Sequence, residues 1–300
     1  MNENKLYPIT ALIFSAVMWG IVWYPYRLLE GAGVRGELST LVTYLVALVG
    51  TTLLFPRAWL EVSRAPVALA VVGLAAGWCN LAYVLGILHG EVVRVLLLFY
   101  LAPLWTVPLA HFILRESVNR SGYAVVLFAF CGAVVMLWNP ALGLPWPSNA
   151  AEWLGLSAGF CFALANVMVR RAVNCGVVAK TQSVFLGVVL VSFCALFFVE
   201  ASAVQVLAST RAVVLTLIIA AMLVSMSLAV QYGLTHVSAT RAIVILLFEL
   251  VVAAVAAYFL SGEVMGMREW IGGGMIITAS LFSGQIEHGQ RAPERVPAPG

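Results

Sequence analysis

Residues 81–116 read LAYVLGILHGEVVRVLLLFYLAPLWTVPLAHFILRE, and residues 228–263 read LAVQYGLTHVSATRAIVILLFELVVAAVAAYFLSGE. At a constant offset of 147 residues, the two stretches share eight identities. The identical pairs are Leu81/Leu228, Ala82/Ala229, Gly86/Gly233, His89/His236, Arg94/Arg241, Ala110/Ala257, Phe112/Phe259 and Glu116/Glu263. The chain therefore contains an internal repeat of about half its length.

The composition is that of a membrane protein. Of the 300 residues, 63% are hydrophobic and 10% are charged, with a mean hydropathy of +1.02. A transmembrane helix needs roughly 20 apolar residues. The sequence predicts ten of them, at about 8–29, 38–57, 66–88, 92–114, 121–138, 151–171, 181–199, 212–235, 239–260 and 269–286. We therefore predict an all-α integral membrane protein built from two five-helix repeats.

An odd number of spans in each repeat inserts the second copy upside down. We assign residues 1–138 to the first repeat, 139–149 to an external linker with three prolines, and 150–286 to the inverted second repeat. The polar tail, residues 287–300, is predicted to be disordered. With the N-terminus inside, eleven of the sixteen Lys and Arg residues are cytoplasmic. This bias favours an inner-membrane protein with both termini in the cytoplasm.

Several classes of function lack their sequence signals. The chain has no GxxxxGK[ST] phosphate loop and no HExxH motif, and its five cysteines form no CxxC pair. We expect no cofactor, no metal and no ATPase activity. The net charge of +3 is carried by cations between the spans, so it does not indicate nucleic-acid binding. Inverted repeats build many secondary transporters, with the substrate site between the halves, and transport is the leading hypothesis.

Glu249 is the strongest candidate site residue. It is the eleventh residue of the predicted span 239–260, near the centre of the bilayer. A charge at this depth costs roughly 2.5–3.5 kcal/mol on insertion scales, so such residues normally face a cavity or a partner. We predict that Glu249 binds a substrate ammonium group or couples transport to protons. The alternative is a structural carboxyl group bonded to a neighbouring helix.

Polar and aromatic side chains in other spans complete the predicted substrate site. Ser227 and Gln231 share a helix face at i,i+4 spacing, as Asn80 and Tyr83 do at i,i+3. The remaining predicted substrate-binding residues are Asn166, Trp19, Trp78 and Tyr100. Polar residues in spans also bond helix to helix, and aromatic residues also pack or face lipid, so these structural roles are the alternative.

Prolines in two spans are candidates for a gate. Pro103 and Pro108 free the carbonyl groups of Phe99 and Leu104, because proline has no N–H to donate. Pro25 lies in the first span. We predict that these three prolines allow the spans to bend, with a static kink as the alternative.

Other repeated or spaced residues have a structural interpretation. The Gly-x-x-x-Gly pairs at 73/77, 86/90 and 155/159, and the glycines at 272–274, predict close helix contacts. Glu116 and Glu263 are interpreted as caps at span ends. Arg94, for which Glu91 is a nearby partner, is interpreted as an anchor at a helix junction.

The ends of the two halves resemble a known family. LAPLWTVPLAHFILRE contains Pro103 and Glu116, and LLFELVVAAVAAYFLSGEVMGMREWIGGG contains Glu249, Glu263 and Gly272. On these motifs the chain resembles the EamA-type drug/metabolite transporters over about residues 8–286. The resemblance implies a central cavity lined by spans 1, 3, 4, 6, 8 and 9, with spans 5 and 10 outside. It also implies movement of small metabolites, often outward.

We therefore predict a secondary transporter that exports a small amphipathic metabolite, such as an amino acid, by alternating access. One alternative is an importer or facilitator of the same fold without proton coupling. Another is a membrane-embedded enzyme acting on lipid, and a third is a scaffold subunit. The predicted partners are a small-molecule substrate, the lipid bilayer and candidate coupling protons, without nucleic acid. The predicted assembly is a monomer or homodimer.

Overall fold

The computed structural model describes residues 6–34, 36–90, 92–137, 146–196, 209–261 and 266–283. These residues form α-helices joined by short turns. In chain order the helices are α1 (Leu6–Gly31), α2 (Gly36–Leu54), α3 (Pro66–His89), α4 (Val92–Phe99), α5 (Ala102–Leu109), α6 (Arg120–Leu137), α7 (Ala150–Arg171), α8 (Val177–Leu196), α9 (Thr210–His236), α10 (Ala239–Leu246), α11 (Phe248–Ser261) and α12 (Met267–Phe282).

The all-α membrane fold is confirmed, while the number of spans is eight or nine. Eight helical segments of the described chain are long and apolar enough to cross a membrane. Two of them combine shorter helices: Arg94–Leu114 includes α4 and α5, and Ala239–Leu260 includes α10 and α11. The second predicted span counts as a ninth only together with the 3₁₀ helix Pro56–Arg64, which bends away by 94°. The tenth, in α12, is shorter than a full span.

Some predicted boundaries were wrong. Helix α2 stops at Leu54 because Pro56 opens the 3₁₀ helix. Helix α8 begins at Val177 rather than residue 181, so Lys180 lies inside the helix and not in a loop. Most of the predicted linker, residues 138–145, lies outside the described residues, as does the predicted disordered tail.

Each half packs its first helix into the other half. Helix α1 contacts α9, α10 and α11, and α7 contacts α3, α4 and α5 in the same way. The remaining helices pair with their counterparts, α2 with α8 and α6 with α12. This exchange buries the interface between the halves at the centre of the bundle, where a substrate site is expected.

Glycines bring the helices of the two halves close together, as predicted from their spacing. A Cβ atom at Gly73 would lie 2.7 Å from the Ser183 carbonyl oxygen of α8. A Cβ atom at Gly155 would lie 2.8 Å from the Val95 carbonyl oxygen of α4. Because any side chain would meet backbone at these crossings, the glycines set the distance between the helices.

The transmembrane orientation is tested by single cysteines at the two ends of α7. Trp146 precedes the helix and is 74% exposed, while Asn174 follows it and is also exposed. In a background without the native cysteines, we expect an impermeant maleimide to label Trp146→Cys in intact cells. We expect Asn174→Cys to react only after permeabilisation. The reverse pattern would overturn the predicted orientation, because a single span separates the two positions.

Candidate functional site

Two broken helices meet in the core of the bundle. The fourth span breaks between Phe99 and Ala102, and the ninth breaks at Leu247. At both breaks the backbone makes tighter i→i−3 bonds, from Leu101 N–H to the Leu98 carbonyl oxygen and from Leu250 N–H to the Leu247 carbonyl oxygen. Broken spans packed within a protein commonly carry substrate and ion sites in transporters.

The breaks have different sequence causes. Pro103 lies in the first turn of α5, where it removes the helical donor to the Phe99 carbonyl. Pro108 lies inside α5 and is followed by the π-helical turn Ala110–Leu114. The ninth span breaks without a proline, so no sequence signal predicted that break. Pro25 lies inside α1, which continues on both sides of it. The gating role of the three prolines stays a prediction.

Glu249 and Tyr100 join the two breaks. The Tyr100 hydroxyl donates a hydrogen bond to the Glu249 carboxylate at 3.2 Å. Tyr100 is buried, whereas Glu249 keeps part of its surface accessible. The bond crosses between the repeats, because Tyr100 belongs to the first half and Glu249 to the second. A carboxylate held by one neutral hydroxyl retains capacity to bind a cation or a proton.

A cluster of aromatic rings extends from this bond. The ring centroids of Phe99 and Tyr100 are 5.1 Å apart, and those of Phe99 and Tyr83 are 5.2 Å apart. Phe162 of α7 adds a third ring to Phe99, at 5.5 Å. The structure thus brings Tyr83 and Tyr100, two predicted site residues, to the same apolar wall. Such a wall suits the apolar part of an amphipathic molecule or an organic cation.

Gly20 of α1 supports the backbone of Glu249. A Cβ atom at Gly20 would lie 2.9 Å from the Glu249 carbonyl oxygen and 2.8 Å from the side chain of Val252. Helix α1 therefore lies directly against the first turn of α11. Sequence reasoning did not single out Gly20, because a lone glycine in an apolar span has no distinctive spacing.

Three predicted site residues have other partners. Asn80 donates to the Ala76 carbonyl oxygen at 3.0 Å and accepts from the Tyr44 hydroxyl at 3.3 Å. Trp78 is 41% exposed, and its indole N–H donates to Ser157 at 3.2 Å. Trp19 packs against the cluster formed by α1, α2, α8 and α9. These contacts fit the structural alternatives considered for polar and aromatic residues in spans.

The amides of α7 and α9 are buried and incompletely bonded. Asn166, Ser227 and Gln231 are all buried. Within the described chain, Asn166 Nδ2 and Gln231 Oε1 have no hydrogen-bond partner, and neither has Ser15 Oγ of α1. Leaving a buried polar group without a partner costs roughly 1–3 kcal/mol, so such atoms indicate a place for water or a ligand. They are further candidate positions for a polar group of a ligand, on α1, α7 and α9.

An ion pair holds each end of α7 to a neighbouring segment, and neither pair was predicted from the sequence. At its start, Arg94 Nε lies 2.8 Å from the Glu152 carboxylate, which accepts a hydrogen bond from Arg94 Nη2 at 3.1 Å. At its end, Arg170 Nε donates to Glu116 at 2.8 Å. Glu116 also accepts from the Ala239 N–H at 3.2 Å, which confirms its role as a cap. The expected neighbour of Arg94, residue 91, and the second cap, residue 263, lie outside the described residues.

The first turn of α9, at the other end of this helix from Arg170 and Glu116, borders a cavity. This cavity has a volume of about 430 Å³ and is lined by Tyr24, Arg27, Leu28, Gly31, Arg211 and Leu260. Arg211 lies in the first turn of α9, and Thr235 lies in its last turn, beside Arg170. At about 1.5 Å per residue, these ends are roughly 40 Å apart. One end of the bundle thus has an accessible space, and the other has a partly buried ionic network.

The fold and these broken spans define a class of polytopic membrane protein built from two repeats, each of which packs its first helix into the other. The sequence profile of the EamA-like transporter family matches residues 6–138 and again residues 149–285. The chain belongs to this family, a family of membrane transporters.

Individual similarities are more distant. The chain is 27% identical over 179 residues to "Protein RarD" of Streptomyces exfoliatus, across 56% of this chain and 54% of that protein. The chain thus spans about half the length of this relative. A crystal structure matches 92% of this chain and 98% of its own chain with a TM-score of 0.73. Its sequence identity is 14%, so this match shows the fold alone.

Proposed function

We propose that this protein is a secondary transporter that exports a small amphipathic metabolite, such as an amino acid, across the inner membrane by alternating access. The observation that carries the proposal is the hydrogen bond between Tyr100 and Glu249 at the meeting point of two broken spans. The carboxylate suits an ammonium group, and the rings of Tyr83, Phe99 and Tyr100 suit an apolar side chain.

The two ends of the bundle support alternating access. The cavity beside Arg211 lies at the predicted outer end, and the network of Arg170 and Glu116 lies at the predicted inner end. This combination fits a conformation closed toward the cytoplasm. The prolines at 103 and 108, and the break at Leu247, supply places where the fourth and ninth spans can bend.

Counterflow tests this function. Proteoliposomes are loaded with a mixture of unlabelled amino acids and diluted into a trace of each radiolabelled amino acid in turn. We expect at least one label to accumulate above protein-free liposomes, because exchange through one site needs no other energy source. Accumulation of no label would contradict the proposed substrate class. Unchanged lipid, checked by chromatography, would separate transport from the enzyme alternative.

A further inference from the structure

The 3₁₀ helix Pro56–Arg64 runs nearly perpendicular to the span before it. Helix α2 has 19 residues. At about 1.5 Å per residue it is roughly 28 Å long, close to the ~30 Å thickness of the hydrocarbon core. The chain then bends by 94° after Leu54. A segment that turns where its span leaves the hydrocarbon lies along the membrane surface.

Two faces of this segment are held by the protein. A 3₁₀ helix has three residues per turn, so every third side chain lies on the same face. On one face, Trp59 donates its indole N–H to the Thr52 hydroxyl of α2 at 3.2 Å. On the next, the Glu61 carboxylate accepts from the Gly176 N–H, just before α8. These contacts fix the rotation of the segment about its axis, and they define which side chains point away from the protein.

The third face carries Arg57, Leu60 and Ser63, and all three are exposed. Within the described chain, the Arg57 guanidinium has no ion-pair partner. The carboxylate of the segment, on Glu61, lies on another face and pairs with Arg64 at 4.0 Å. An exposed leucine beside an unpaired cation is what an amphipathic segment presents to the boundary between acyl chains and lipid headgroups.

Exposed apolar side chains flank the segment on both sides. Leu53 and Leu54, at the end of α2, are 77% and 74% exposed, and Val67, at the start of α3, is 73% exposed. Such side chains on membrane spans are covered by acyl chains, so the hydrocarbon reaches the level of the segment. Leu60 is therefore placed to enter the acyl chains, while the longer side chain of Arg57 extends to the phosphate layer.

We propose that the exposed face of Pro56–Arg64 is a binding site for an anionic phospholipid, with Arg57 on the headgroup phosphate and Leu60 between the acyl chains. A guanidinium donates paired hydrogen bonds to phosphate oxygens. Arg64, whose side chain is 60% exposed, adds a second positive charge that favours a headgroup with net negative charge. The site is at the membrane surface, away from the predicted depth of Glu249, so it does not depend on the proposed transport.

Native mass spectrometry of the purified protein tests the lipid preference. The protein in detergent is titrated with equal amounts of phosphatidylglycerol and phosphatidylcholine that have the same acyl chains. We expect bound phosphatidylglycerol to exceed phosphatidylcholine in the parent, and we expect Arg57→Gln to lower this excess about fivefold, the attraction that one arginine near an anionic surface supplies. Arg120→Gln is the matched control, because Arg120 is also exposed at the predicted cytoplasmic side but begins α6 directly. It should keep the excess of the parent.

Spin-label accessibility tests the depth of the segment in lipid nanodiscs. Labels are placed at Leu60→Cys and, as a control, at Asn174→Cys, in a background without the native cysteines. Both positions are exposed, and Asn174 lies in the turn before α8. We expect the label at position 60 to collide mainly with oxygen, which concentrates in the acyl chains. The label at position 174 should collide mainly with a water-soluble nickel chelate.

Three results would overturn the proposal. They are a parent that binds both lipids equally, an equal loss of phosphatidylglycerol in Arg57→Gln and Arg120→Gln, and a label at position 60 that collides mainly with the nickel chelate. An equal loss would mean that the lipid responds only to the total charge of the protein. Because neither measurement needs a substrate, a failed counterflow assay counts against the proposed function, while these results count for or against the lipid site.

Discussion

Glu249→Gln is expected to lower the transport rate roughly tenfold or more and to flatten its dependence on pH. A hydrogen bond to a charged group contributes roughly 1.5–3 kcal/mol, and glutamine supplies neither the charge nor a titrating proton. Folding should be preserved, because the amide has a similar size and can still accept from the Tyr100 hydroxyl, which is 3.2 Å from Glu249. The measurement is counterflow of the identified substrate over a range of pH.

Tyr100→Phe is the matched control for this experiment. It removes the hydroxyl that donates to Glu249 but keeps the ring packed against Phe99. We expect a smaller loss of transport, with the pH dependence retained, because the carboxylate remains. Normal transport with unchanged pH dependence in Glu249→Gln would reject the functional role. A structural carboxyl group would instead show itself in Glu249→Leu, which would lower stability by leaving Tyr100 without its partner.

Gly187→Ala is expected to destabilise the protein by roughly 1–3 kcal/mol or more, because the added methyl group would overlap the backbone of Gly73 where α3 crosses α8. Backbone cannot move aside as a flexible side chain can, so the helices must separate. Helix α8 also holds Lys180, so the displacement would extend to the predicted inner end. The measurement is the midpoint of thermal unfolding in detergent.

Gly50→Ala is the matched control for the helix crossing. Gly50 lies in α2, and no atom lies within 4 Å of the position that its Cβ would take. Here alanine should leave stability unchanged or raise it by about 0.5–1 kcal/mol, because it restricts the unfolded chain more than glycine does. An equal loss of stability in Gly187→Ala and Gly50→Ala would mean that close approach at the crossing is not the cause.

Only part of the geometry of the candidate site could be predicted from the sequence, because its contacts join residues far apart in the chain. The depth of Glu249 in its span follows from counting residues, and its isolation in an apolar segment marked it as a candidate. Its contact with Tyr100 joins residues 149 positions apart, and no local pattern encodes that pairing. By their predicted depth in the span, Trp78 and Asn80 were equally suitable as site residues. In the structure, however, Trp78 bonds to Ser157 and Asn80 bonds to Tyr44.

The amino-acid sequence by itself determined the membrane class, the helical fold and the repeat. In the hydrocarbon of the bilayer, each span must form its backbone hydrogen bonds within itself. An apolar stretch long enough to cross the membrane therefore predicts a helix. Tertiary structure decided which helices exchange between the halves, where the ninth span breaks and which charges pair. Lys180 shows the difference most clearly. The predicted spans place it in the loop between residues 171 and 181, and only the packing of α7, α8 and α9 buries it beside Thr235, because burial depends on what other segments place around a residue.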